Sequence, residues 1–140
     1  MKRTTLLLAA LITLVACKEK APARTRLDIP LNQKIDALLK EANAATDDNK
    51  KAALFGEAAE LLVDKGDLKA ALNAARSGER ANPTQKNCLT AIAEVQLSEG
   101  KLTEAALTIK DALQRHPTHG RAHYVQAQST RCRAVHWQWQ

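Results

Sequence analysis

The feature that most constrains this chain is a repeat: the stretch from Ala52 to Pro117 is written twice, 34 residues apart. Gly66 recurs as Gly100, Ala59 as Ala93, Glu60 as Glu94, Leu68 as Leu102, Ala71 as Ala105 and Pro83 as Pro117. A fixed period of this size means stacked copies of one supersecondary unit. Inside each unit a helical run (Ala52–Asp64 in the first) meets a glycine. A second run follows (Leu68–Ala81), and Asn82-Pro83 or His116-Pro117 stops it, because proline cannot continue a preceding helix.

The chain has 140 residues, enough for one domain plus a targeting segment. Aromatic residues make up 3% of it, and both tryptophans lie in the last four positions. The core must therefore be built from alanine and leucine, which suits closely packed helices. Strand-type alternation of Val, Ile and Thr is missing, so the expected class is all-α. Removal of Lys2 and Arg3 with a leader lowers the formal charge of +6 by two, to +4. The basic residues are interleaved with acids and form no stripe, and stacking aromatics are few, so nucleic-acid binding is not expected.

The repeated residues resemble a tetratricopeptide (TPR) array. Ala59 and Ala93 stand at the family's small-residue position, Ala71 and Ala105 at its characteristic alanine, and Pro83 and Pro117 at its closing proline. Phe55 and Leu89 replace its Trp, Leu62 and Gln96 its Tyr, and Ala75 and Ile109 its later aromatic; Gly78 departs from a small-residue position that Ala112 keeps. The resemblance implies a short α-solenoid of antiparallel helix pairs. Extended outward, it makes the helix after Asn32, with Ala37 in register with Ala71, the second helix of a pair whose first is lost. It makes Thr118 to about Arg133, with Ala127 in register with Ala93, a leading first helix. That totals about six helices, or three repeats' worth, near the minimum for a stable stack. Asn32, Asp67 and Thr84 are the expected N-caps, and Asp47-Asp48-Asn49 ends one helix and opens the next.

At the N-terminus, Met1-Lys2-Arg3 precedes the apolar run Leu6–Ala16, whose 11 residues fit a signal-peptide core and are too few to span a bilayer. The run ends in Leu14-Val15-Ala16-Cys17, which resembles a bacterial lipobox. The resemblance implies cleavage after residue 16 and lipidation of Cys17. An ordinary secretory signal cut near Ala21-Pro22-Ala23 is the alternative, with Lys18, Glu19 and Lys20 unfavourably inside its cleavage region. By the same analogy, Lys18 rather than Asp after the cysteine points to the periplasmic face of the outer membrane. Acyl chains contribute about 0.8 kcal/mol per buried CH₂, so two or three anchor a protein firmly. The expected organisation is a signal peptide over 1–16, a lipidated cysteine and tether over 17–30, a helical domain over 31–136 and a tail over 137–140. Trp137 and Trp139 in that tail either pack on the last helix, plug a partner or second copy, or belong to a disordered end.

No G-x-S-x-G, Walker-type loop, H-E-x-x-H or C-x-x-C is present. No catalytic residue, cofactor or metal is assigned, and the chain is not expected to be an enzyme. His119 and His123 have i, i+4 spacing, as do Cys132 and His136. Nine residues separate His123 from Cys132, which on one helix puts the two pairs on opposite faces. His123 falls in register with Phe55 and Leu89, so a packed, inward-facing histidine is expected there. A Cys88–Cys132 disulfide would have to cross an offset of about 15 Å along parallel helices, against the roughly 7 Å a bridge tolerates.

In TPR proteins the first helix of each pair lines a concave groove. The matching positions are Ala53, Gly56, Glu60, Val63 and Asp64; Asn87, Thr90, Glu94, Leu97 and Ser98; and Arg121, Tyr124, Gln128 and Arg131. Of these, Gly56, Glu60, Asn87, Thr90, Glu94, Tyr124 and Gln128 are taken as the groove. The strip is small and polar, suited to a protein or peptide partner offering basic or amide groups; a solvated face is the plain alternative. The resemblance thus implies a lipid-anchored scaffold or adaptor, and similar small lipoproteins serve pilus, secretion-channel or barrel assembly, or cell-wall enzymes. The competing classes are a small-ligand or metal-binding lipoprotein using the C-terminal His/Cys region, and a homo-oligomer built through exposed array ends.

Overall fold

The computed structural model describes residues 30–137. All regular structure among them is helical, in six elements: α1 (Leu31–Ala44), α2 (Asp48–Lys65), α3 (Leu68–Ala81), α4 (Lys86–Ser98), α5 (Leu102–Arg115) and α6 (Gly120–Trp137). The signal peptide, Cys17, nearly all of the tether and residues 138–140 lie outside the described residues. None of the described helices is long and apolar enough to cross a membrane.

The repeated punctuation has one structural meaning in both copies. Gly66 and Gly100 take φ of 87° and 76°, the left-handed region that costs glycine nothing. The Asp67 N–H then donates to Leu62 O and the Gly66 N–H to Val63 O, each at 2.9 Å. In the second copy Lys101 donates to Gln96 O at 2.8 Å and Gly100 to Leu97 O at 3.0 Å. Both are Schellman closures, which satisfy the last carbonyls of a helix and turn the chain sharply. Asp67 caps α3 by accepting from the Ala70 N–H at 3.1 Å, and Asp47 caps α2 by accepting from the Lys50 N–H at 2.6 Å.

Two expected caps differ. Thr84 is engaged by Asn82, whose Oδ1 accepts from both the Thr84 N–H and its hydroxyl, so Gln85 caps α4 instead. The helix α1 begins at Leu31, with Pro30 rather than Asn32 at its N-cap; proline's fixed φ favours the start of a helix and its missing N–H costs nothing there. The last helix runs to Trp137, one residue past the expected end of the domain.

Successive helices pack side by side, and α4 also packs on both α2 and α6. The second helices of the pairs have no packing of that extent among themselves, so the first helices form the tighter layer. This is the all-α, TPR-like solenoid. Ala59, Ala71, Ala93 and Ala105 are each fully buried, because their small side chains let neighbouring helix axes approach. One apolar cluster gathers Ile35, Phe55, Leu62, Ile92 and Val95, and a second gathers Leu89, Ile109 and Val125. Burying such a side chain is worth about 1.5–3 kcal/mol. At the two ends the register is kept but not covered. Ala37 and Ala127 are exposed, since no helix among the described residues lies over them. His123, expected to face inward, is exposed for the same reason, and its Nε2 donates to Pro117 O at 2.7 Å.

Candidate functional site

The layer formed by α2, α4 and α6 carries the strip expected from the sequence, but its members play different parts. Gly56 is buried where α2 meets α4: a Cβ there would lie 2.8 Å from Asn87 Cβ. Thr90 is fully buried and its hydroxyl donates to Lys86 O at 2.7 Å. Neither therefore offers a partner any surface, which corrects their assignment to the groove; both serve the approach of neighbouring helices. Asn87 is half-buried beside Gly56.

Glu60 and Glu94 do lie in line, and the chain's own Arg121 reaches them from α6. The Arg121 Nε donates to Glu94 Oε1 at 3.0 Å, and its Nη2 donates at 2.8 Å to both Glu94 Oε2 and Asp64 Oδ1. Its Nη1 donates to Asp64 Oδ2 at 3.3 Å, and Glu60 Oε1 stands 3.9 Å from its Nε. One planar guanidinium thus forks across two carboxylates from two helices, a geometry lysine cannot reproduce. Desolvation alone would lower the Arg121 pKa, but the hydrogen bonds to Asp64 and Glu94 together with the charges of Glu94 and Glu60 more than offset it and raise it, so the guanidinium stays charged.

The three carboxylates outnumber that cation, and burial shows in their titration. Desolvation pushes Glu60 up to about 7; Arg121 opposes the shift, while Glu94, Asp64 and Glu57 add to it. Glu94 is raised too, chiefly by burial and against the pull of Arg121. His119 faces Glu60, its Nε2 3.9 Å from Glu60 Oε1, and both atoms are buried without a hydrogen-bond partner in the protein. Burial, with Lys86 and His116 nearby, lowers the pKa of His119. The sequence signal for this network was the excess of acids on the first two helices of the strip over those on the third, where Arg121 stands.

Beside the network lies an open cleft of about 280 Å³ lined by Val63, Asp64, Glu94, Leu97, Ser98, Arg121, Tyr124 and Gln128. Tyr124 is 61% exposed, and its hydroxyl accepts from Gln128 Nε2 at 2.8 Å. The cleft therefore combines aliphatic walls, a fixed aromatic ring and polar groups already held in place. A larger cleft of about 710 Å³ lies between α1 and α3, with Phe55 and Leu62 on its floor; nothing in the repeat pattern announced it.

Among the described residues no group of three or more His, Cys, Asp or Glu side chains is gathered to hold a metal ion. His119 faces Glu60 while His123 faces Pro117 O, so their i, i+4 spacing does not converge on one point. Cys88 and Cys132 are both free thiols, the first buried and the second exposed. Burial pushes the Cys88 thiol up to about 12, with Glu79 and Glu60 adding to the shift, which keeps it protonated and unreactive. Comparison of the chain with protein-family models, curated proteins and solved structures finds no match.

Proposed function

We propose that this chain is a TPR-type lipoprotein that serves as a scaffold or adaptor, binding a protein partner in the cleft between α2, α4 and α6. Cys17 carries the lipid and holds the solenoid at the periplasmic face of the outer membrane, and the partner belongs to an envelope assembly such as a pilus, secretion channel or barrel machine. The observation that carries the reading is the cleft itself, with Tyr124 exposed at its side above an ionic floor whose geometry is set by Arg121. Exposed aromatic rings anchored by their hydroxyls are favourable contact residues, because they offer area at small entropic cost.

With both Glu94 oxygens and both Asp64 oxygens already bonded to Arg121, the guanidinium has little left for an acidic guest. The excess of carboxylate favours a segment with basic or amide side chains flanking an apolar residue. The anchor raises the partner's effective concentration at the membrane without any new contact.

Photo-crosslinking from position 124 in intact envelopes tests the reading. A specific adduct is expected that disappears with Gln128→Ala and persists with Leu107→Ala, since Leu107 is exposed on α5 away from the cleft. Equal adducts with both variants would remove the cleft from the account. Loss of fatty-acid labelling in Cys17→Ala tests the anchor separately.

A further inference from the structure

The two ends of the stack each carry half of a helix pair. On the first helices, Phe55, Ala59 and Leu62 are buried, and Leu89 and Ala93 repeat this with Gln96 half-buried. On the second helices, Ala71 and Ala75 are buried beside half-buried Leu68, and Ala105 and Ile109 beside half-buried Leu102. The corresponding stripes are His123, Ala127 and Thr130 on α6, and Lys34, Ala37 and Glu41 on α1. All six of these residues are exposed. Among the described residues, then, no second helix lies on α6 and no first helix on α1.

From this match we infer that copies of this chain associate head to tail, α1 of one copy docking on α6 of the next where a second helix would pack. The contacts inside the complete pairs give the register. Gly78 abuts Phe55 and Ala52, so Ala44 of the incoming copy meets His123 and Gly120. The Thr108 hydroxyl donates to Gln96 Oε1 at 2.9 Å, so Lys40 of the incoming copy meets Thr130, whose hydroxyl can accept from it. Small residues stand at the points of closest approach: Gly120 and Ala127 on α6, Ala37 and Ala44 on α1.

One acidic residue fits the same pairing. No carboxylate occurs within α6, which carries Arg121, Arg131 and Arg133, while α1 is balanced, Lys34 and Lys40 against Asp36 and Glu41. Glu41, one turn from Ala44 on its stripe, comes opposite His123. At present Glu41 pairs with Lys50 at 2.9 Å on the open surface, a contact that solvent screens and that readily exchanges. The polar residues on these end faces keep the single copy soluble, as terminal repeats of solenoids require, and make the association reversible. Because the two surfaces differ, the contact is heterologous, and each added copy presents a fresh face of the same kind to the next.

The test uses the full chain carrying Cys17→Ser and Cys132→Ser, which leaves only the buried Cys88. Ala44→Cys and His123→Cys versions are purified separately and mixed in a thiol–disulfide buffer. In the complete pair, a Cβ on Gly78 would lie 3.0 Å from Phe55 Cβ, so the corresponding cysteines come within bridging range. The mixed disulfide should form about tenfold faster than either self-product, given how strictly a bridge depends on Cβ placement. Introducing Glu41→Arg into the Ala44→Cys chain and following sedimentation of the unbridged mixture should weaken association. Pairing that chain with His123→Glu should restore it. A dominant Ala44→Cys self-product would replace the inference with a like-end dimer. Equal slow rates, or sedimentation as a monomer at every concentration, would overturn it outright.

Discussion

Adding one methyl group at position 78 tests how tightly the first pair is nested on the second. Gly78 sits inside α3, where alanine is intrinsically better by about 0.8–1.0 kcal/mol, and the equivalent residue of the next repeat is Ala112. A Cβ on residue 78 would stand 2.4 Å from Cys88 Sγ, 3.0 Å from Phe55 Cβ and 3.1 Å from Ala52 O. Cys88 and Ala52 are fully buried, and the Cys88 thiol already donates to Ala52 O at 3.4 Å, so the sulfur has nowhere open to go. Overpacking of this kind costs about 1–3 kcal/mol. Three contacts this short put the cost at the upper end of that range, so after the propensity gain Gly78→Ala should destabilise by about 2 kcal/mol, a drop of roughly 8–10 °C in Tm for a domain of about 100 residues. In a Cys88→Ala background the shortest of the three contacts vanishes and the same substitution should be neutral within about 0.5 kcal/mol. Urea unfolding of the four chains, followed by helical circular dichroism, measures the coupling. A Gly78→Ala chain as stable as the parent, or one equally damaged in both backgrounds, would show that Cys88 is not what excludes the methyl group.

Two further outcomes follow from the ionic network. Glu60 binds its proton more tightly in the folded state than the usual carboxylate, up to about 7; its contribution is complete below the ordinary carboxylate range and is lost as pH rises through the folded value. Stability should therefore fall between about pH 4.5 and 7 by roughly 1–2 kcal/mol after allowance for its solvent side. Glu60→Gln should flatten that part of a urea-midpoint profile; an unchanged slope would assign it to another group. Arg121→Met strips the cation from Asp64 and Glu94 and should cost about 2–3 kcal/mol, below the range for a fully buried pair because the site is partly open. Thermal melts should show Arg121→Lys recovering less than half of that loss; full recovery would mean that the forked geometry is unimportant.

How much of this was legible beforehand depended on whether the determining interaction was local. The paired glycines and prolines act within a few residues of themselves, so spacing alone predicts Gly66 and Gly100 as helix stops and Asp67 as a cap. Ala59, Ala71, Ala93 and Ala105 were legible because a period shared by small residues implies close helix contact. Thr84 was not, since the same sequence suits a cap or an Asn82 turn and the choice rests on side-chain bonds. Gly78 reads as a departure from the pattern until Cys88, ten residues away on the next helix, is seen filling the space. Within the strip, periodicity identifies the helix face but not which members lie between helices. Gly56 and Thr90 share a face with Glu60 and Glu94 yet are consumed by packing. The ionic partnership of residues 94 and 121 crosses between repeats at an offset the period does not contain.

The salt link from Asp64 to Arg121 has a bearing on how the domain comes apart. Solenoid units ordinarily touch only their immediate neighbours, so a terminal helix can peel away while the remainder stays intact. Here a bond at 2.8 Å joins residues 57 positions apart, running from the first complete unit to the last helix over the unit between them. Fraying of the final helix must release a carboxylate two units away. The link therefore couples the last helix to the first complete unit, and Asp64→Asn should speed amide exchange along α6.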